Sequence, residues 1–124
     1  MNIDSMTIGE LKEISKLINK DSQKTLNFHV GKKVIIRTYS AGVWFGTLKE
    51  KEGKEVILRD ARRMYFWKAK KSISLSGVAK YGIDQEESKI CPKIDNQWLE
   101  AIEIMELSNE CIKSIEEAKD VEAS

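Results

Sequence analysis

Hydrophobic positions recur at three- and four-residue steps near the start of the chain and switch to a denser β-branched pattern in its middle. Ile8, Leu11, Ile14, Leu17 and Ile18 share one helical face, so the spacing predicts an amphipathic helix from Thr7 to Lys20. Thr7 with Glu10 three positions on makes a capping box at its start. The polar stretch from Asn19 to Thr25 ends the helix and serves as a connector.

From Gly31 the pattern reads as strands. Lys33 to Tyr39 (KVIIRTY) is rich in β-branched residues, Gly42 makes a turn, and Val43 to Glu50 (VWFGTLKE) returns. The charged turn Lys51-Glu52-Gly53-Lys54 leads into Glu55 to Asp60 (EVILRD), and Met64 to Lys68 continues a bent sheet. Gly46 inside the second strand marks a bulge or sharp bend. Residues 72–82 fit a short helix, with Ser74 as its cap and Gly82 at its left-handed end. Glu86 to Pro92 reads as a polar loop or short edge strand. Leu99 to Leu107 reads as a strand, and Ser108 caps a last helix from Asn109 to Ala118. The expected fold is α+β: an N-terminal helix, a small, strongly curved, barrel-like antiparallel sheet, a short helix and a C-terminal helix. The expectation is one domain: residues 1–24 as helix and connector, 30–107 as a β-rich core, and 108–124 as helix and frayed tail.

Length agrees with a single domain, since 124 residues are one domain's worth of chain. No apolar run is long enough to span a membrane. The N-terminus has no basic patch and no apolar signal core, so the expected compartment is the cytoplasm, with no membrane partner. The net charge of +1 would ordinarily argue against an anionic partner, but it conceals a split. Residues 1–24 carry no net charge, residues 25–82 carry +9, and residues 83–124 carry −8. All aromatic residues except Trp98 lie in the basic segment. A basic, ring-rich stretch suits a stacked, phosphate-bearing ligand, and an acidic tail suits association with the basic face of a neighbour.

Few routes to catalysis are open. His29 is the only histidine, and no G-x-S-x-G elbow accompanies it. Cys91 and Cys111 stand twenty residues apart without a C-x-x-C motif, so no metal site is expected. No phosphate-binding loop and no dinucleotide fingerprint occurs, and no cofactor is expected. The reading is a binding protein with no catalytic residues.

The informative cluster is the arginines. Only Arg37, Arg59, Arg62 and Arg63 are arginine, against seventeen lysines, and three of the four fall within Leu58-Arg59-Asp60-Ala61-Arg62-Arg63. A guanidinium grips phosphate in a bidentate fork and stacks on rings. Asp60 offers an acceptor for a ribose hydroxyl, or it forms an ion-pair network with its arginine neighbours. Arg62 and Arg63 are expected past the strand end, exposed by a turn. Tyr65, Phe66 and Trp67 are consecutive, so they cannot all enter one core and at least one ring faces the other side, available to a partner chain or a flat ligand; Trp44-Phe45 poses the same problem. The candidate ligand-binding residues are Arg59, Asp60, Arg62, Arg63, Phe66 and Trp67, with Arg37 and Tyr39.

Two resemblances extend this reading. Val30-Gly31-Lys32-Lys33-Val34-Ile35-Ile36 through Asp60-Ala61 is similar to an Sm-like barrel core over about thirty residues. Sm-like proteins form RNA-binding rings, which gives the alternative function. More specifically, Tyr39-Ser40-Ala41-Gly42-Val43-Trp44-Phe45-Gly46-Thr47-Leu48, Leu58-Arg59-Asp60-Ala61-Arg62-Arg63-Met64, Ser72-Ile73-Ser74-Leu75-Ser76 and Trp98-Leu99-Glu100-Ala101-Ile102-Glu103-Ile104 resemble segments of the first-type Thoeris anti-defence proteins. That resemblance implies a phage protein acting in the cytoplasm of an infected bacterium. Such proteins bind cyclic ADP-ribose isomers made by TIR-domain enzymes and sequester them without cleavage. They do so as oligomers with pockets between protomers, and some also bind cyclic oligonucleotides.

Overall fold

A computed structural model describes residues 28–121. The helix expected over residues 7–20 lies outside the described residues. The order of elements is β1 (Lys33–Thr38), β2 (Val43–Glu52), β3 (Glu55–Phe66), α1 (Leu75–Tyr81), β4 (Lys89–Ile90), β5 (Ile94–Glu106) and α2 (Asn109–Glu116). The described chain is α+β, mostly antiparallel sheet with two helices. Among the described residues no helix is long and apolar enough to cross a membrane.

All pairings between the strands are antiparallel. β2 pairs with both β1 and β3. β5 is long enough to do the same on the other side: Ile94 to Glu100 lie against β3, and Ala101 to Glu106 against β1. The pairings therefore run β1–β2–β3–β5 and back to β1, while the two-residue β4 adds to the far end of β3.

Both faces of this sheet are covered, and each has its own core. Val34, Ile36, Trp44, Leu48, Val56, Leu58, Ala61 and Leu99 form one. Ile35, Phe45 and Met64 face the other way, where Val78 of α1 and Cys111 and Ile115 of α2 pack on them with Ile83 and Ile90. Trp44 and Phe45, adjacent in sequence, thus enter opposite cores and are 5% and 3% exposed. The expectation that one of these rings would be left for a partner is corrected: period-two alternation sends them to opposite faces, and neither face is open there. Burying such a side chain contributes about 1.5–3 kcal/mol.

The helices start and stop where their caps dictate. The Ser74 hydroxyl accepts from Gly77 N–H at 3.1 Å, and Gly82, at φ 93°, closes α1 in a conformation that only glycine adopts without strain. The Ser108 hydroxyl accepts from Cys111 N–H at 3.1 Å and opens α2. That helix ends at Glu116, short of the expected Ala118. The Ala118 N–H reaches back only three residues, to the Ile115 carbonyl, which tightens the last turn.

The third strand departs most from expectation. β3 runs without interruption from Glu55 to Phe66, so Arg62 and Arg63 lie within the strand, not in a turn beyond it. The strand bends at Asp60, which sits in the left-handed region at φ 53°. Gly46 faces this bend across the pair, and the β2–β3 register shifts between Phe45 and Thr47. A Cβ on Gly46 would lie 3.0 Å from the Arg59 carbonyl oxygen and 3.2 Å from Ala61 Cα, so the bend needs glycine opposite it. β5 likewise begins at Ile94, earlier than the expected Leu99, because its first half is the partner of β3.

The charge split is met in part inside the chain. Arg37 pairs with Glu103 at 2.7 Å, Lys33 with Glu116, Lys32 with Glu106 at 3.6 Å, and Arg62 with Asp120 at 2.7 Å. Each joins the basic middle to the acidic C-terminal part, a role that the sequence had suggested for a neighbouring protomer.

Candidate functional site

Side chains with chemistry to offer gather around the β1–β2 turn, Tyr39 to Gly42. Thr38 builds the turn. Its hydroxyl donates to the Gly42 carbonyl at 2.8 Å and accepts from Ala41 N–H at 2.8 Å. The Trp44 indole N–H donates to the Ala41 carbonyl at 2.9 Å, tying the turn to the core below it. Tyr39 projects from this fixed base and is 91% exposed.

On one flank of the turn lies Arg63. Its guanidinium rests over the Trp44 ring, 4.6 Å from the centroid, and it has no ion pair among the described residues. A cation held over an indole face is fixed in place while its N–H groups stay open to an anion. Arg37 lies at the base of the same turn, with its Nε donating to Glu103 Oε1 at 2.7 Å. On the other flank is an open groove of about 660 Å3 whose walls include Tyr39, Lys54, Trp98 and Glu100.

The remaining residues chosen from sequence lie elsewhere. Arg59 and Asp60 share the bend in β3, 4.0 Å apart, and both are more than half exposed. Phe66 is 51% exposed beside Lys89 at the end of β3. Trp67 is half-buried against the core beneath the helices.

Arg62 corrects an expectation outright: it is 3% exposed. Its Nε donates to the Cys91 carbonyl at 2.8 Å. Nη1 donates to the carbonyls of Ile115 and Ala118 at 2.7 and 3.1 Å, and Nη2 to Asp120 Oδ1 at 2.7 Å. It caps the C-terminal end of α2, adding a donor to the Ile115 carbonyl in the last turn and bonding the Ala118 carbonyl just beyond it, where a cation is also favoured by the helix dipole. It is a structural clamp and leaves the ligand set. The cause is Asp60. Leu58 and Ala61, three apart, fall in the same core because the bend inserts one residue, and this turns Arg62 and Met64 to the helix side.

His29 lies at the other end of β1, 3.9 Å from Glu106, with its ring 3.8 Å from that of Phe28. Burial lowers its pKa below 6.5, the nearby Lys32 and Lys51 add to this, and Glu106 opposes it. Cys111 is fully buried, and burial pushes its thiol up to about 12. Among the described residues no group of three or more His, Cys, Asp or Glu is placed to hold a metal.

Trp98, Lys54 and Glu100 were missed as candidates. A signal was present: Trp98, Glu100 and Ile102 alternate with the core residues Leu99 and Ala101, so the indole falls on the outward parity of β5.

Residues 31–115 match the model of a family described as a domain of unknown function (DUF6948). The chain belongs to this family. The match begins at Gly31, just before β1, and ends at Ile115 in the last turn of α2, so the DUF6948 domain contains β1 to β5 and both sides of the β1–β2 turn. No curated protein and no solved structure matches the chain.

Proposed function

We propose that this DUF6948 protein binds a cyclic nucleotide immune signal, a cyclic ADP-ribose isomer, and sequesters it without cleaving it. In this reading it is a phage anti-defence protein of the kind the Thoeris resemblance implies. It acts in the cytoplasm of an infected bacterium, as an oligomer with pockets between protomers. The observation that carries the reading is Arg63: an arginine laid over Trp44, with no ionic partner among the described residues, against the β1–β2 turn that also carries the exposed Tyr39 and one wall of an open groove. A pyrophosphate asks for such a fixed fork, and a purine asks for such a ring. Arg59, Asp60, Arg37 and Phe66 supply further contacts if a second protomer brings them to the same ligand.

The test is equilibrium dialysis of labelled cyclic ADP-ribose against the full chain and against Arg63→Ala. Loss of one charge-assisted contact weakens binding by roughly ten-fold or more, since such bonds contribute about 1.5–3 kcal/mol. Equal binding by the two proteins removes Arg63 from the site.

A second reading, an Sm-like RNA-binding ring, is favoured by one observation. The pairings β1–β2–β3–β5–β1 return on themselves, in keeping with a small barrel-like sheet. Retention of RNA in place of the cyclic nucleotide would select it.

A further inference from the structure

The groove beside the β1–β2 turn has features beyond Tyr39 that the arginine-centred site does not use. Two exposed rings, Tyr39 and Trp98, stand on it, and a lysine and a carboxylate, Lys54 and Glu100, accompany them. We infer that it is the base-and-sugar subsite of the binding surface: it takes the flat ring of a ribonucleotide on Tyr39 and Trp98, the sugar hydroxyls on Glu100 and one phosphate on Lys54. This assignment rests on the reading of the protein as a nucleotide binder, and it adds three residues to that reading.

Size and anchoring support it. About 660 Å3 lies within the range of about 300–1,000 Å3 that small-molecule sites occupy. Both walls are held by hydrogen bonds. The Thr38 hydroxyl fixes the turn that carries Tyr39. The Trp98 indole N–H donates to Glu55 Oε1 at 3.1 Å, which orients a ring that is still 56% exposed. Ala101 N–H donates to the Lys54 carbonyl at 2.8 Å and ties the β2–β3 turn to β5. A ring oriented before binding, as Trp98 is, loses little freedom when a base stacks on it.

The charges point to the rest of the ligand. Glu55 and Glu100 are directly opposed across β3 and β5, an arrangement that is unfavourable between like charges. Trp98 takes up Glu55, whereas Glu100 has no ion pair among the described residues. A vicinal diol satisfies a carboxylate with two neutral donors. Lys54, also without an ion pair among the described residues, offers one positive charge. A subsite with one cation and one anion suits a ribose and a single phosphate better than a run of phosphates, and the remaining phosphate charge then falls to the arginine flank.

The experiment uses the full chain and two readouts. In the first, cyclic ADP-ribose is titrated while tryptophan fluorescence is recorded. Trp44 is buried and Trp67 half-buried, so a change dominated by Trp98 is expected, and Trp98→Phe should remove most of it, leaving what Trp44 reports from beneath Arg63. In the second, equilibrium dialysis compares wild type with Trp98→Leu, Lys54→Ala and Glu100→Gln. Trp98→Leu should weaken binding at least about five-fold, the low end for a lost base–ring stack. Wild type should favour ADP over 2′-deoxy-ADP, and Glu100→Gln should lose that preference. All three side chains are exposed, so thermal melting should confirm unchanged folding. If the three variants retain wild-type affinity and only Arg63→Ala loses it, the groove assignment is overturned and the nucleotide reading stands. If wild type binds no nucleotide, the reading and the assignment fail together.

Discussion

Arg62 and Arg63 are neighbours in the chain, yet one is sealed under a helix and the other lies open over an indole ring. Asp60, in the left-handed region, adds one residue to the bend of β3 and so decides which face each side chain takes. Replacing Arg62 with alanine removes the donors to Cys91, Ile115 and Ala118 and leaves Asp120 without its cation. Water replaces the cation at Asp120, which is 63% exposed, but the carbonyls stranded around the emptied guanidinium site cost about 1–3 kcal/mol each in folding stability. Chemical denaturation of Arg62→Ala should show that loss, whereas Arg63→Ala, which removes a cation–π contact at an exposed site, should lose about 0.5–1 kcal/mol. Equal losses would mean that the two arginines are not divided between structure and surface in this way. The candidate cluster of arginines was legible in the sequence, but the fate of each was not. A single residue at positive φ reverses every later face, and composition gives no sign of it.

At the scale of elements, short-range signals served best. Ser74, Gly82 and Ser108 mark the helix ends because capping is local chemistry, read within three or four residues. The extent of β3 and β5 was less legible. Each owes its length to a partner strand far away in sequence, as when Ile57 pairs with Trp98. The same long-range pairing brought Lys54, Trp98 and Glu100 to the groove from two segments of opposite net charge.

Two elements give titratable tests. His29, just before β1, is held neutral in the fold by burial, so its folded pKa lies below 6.5. The unfolded chain then binds the proton more readily. Its contribution to stability is intact above about pH 6.5 and is lost as the pH falls through the folded value. Between pH 7.5 and 5.5, wild type should therefore lose more thermal stability than His29→Gln, and an equal loss in both would exclude His29 as the cause. In α2, Cys111 is buried with its thiol raised to about 12, while Cys91 is partly exposed. At pH 8 a thiol reagent should label Cys91 quickly and Cys111 only on unfolding. Fast labelling of both would show that α2 does not stay packed on the sheet.

For the whole molecule, the informative feature is where its opposite charges meet. Arg37–Glu103, Lys33–Glu116, Lys32–Glu106 and Arg62–Asp120 spend much of the basic–acidic contrast within one chain. Among the described residues, the cations that these pairs leave free include Arg63 on its indole and Lys54 at the groove. A protein that sequesters a signal must hold it against a competing effector, and slow release is the common route to tight binding. The central claim is that the ligand is held and not transformed, so the most direct measurement is recovery. Purified protein is incubated with enzymatically made cyclic ADP-ribose, freed of unbound ligand, heat-denatured, and the supernatant is chromatographed. Intact cyclic ADP-ribose, released only on denaturation, is the predicted result. A chemically altered product, or no retained nucleotide at all, would contradict it.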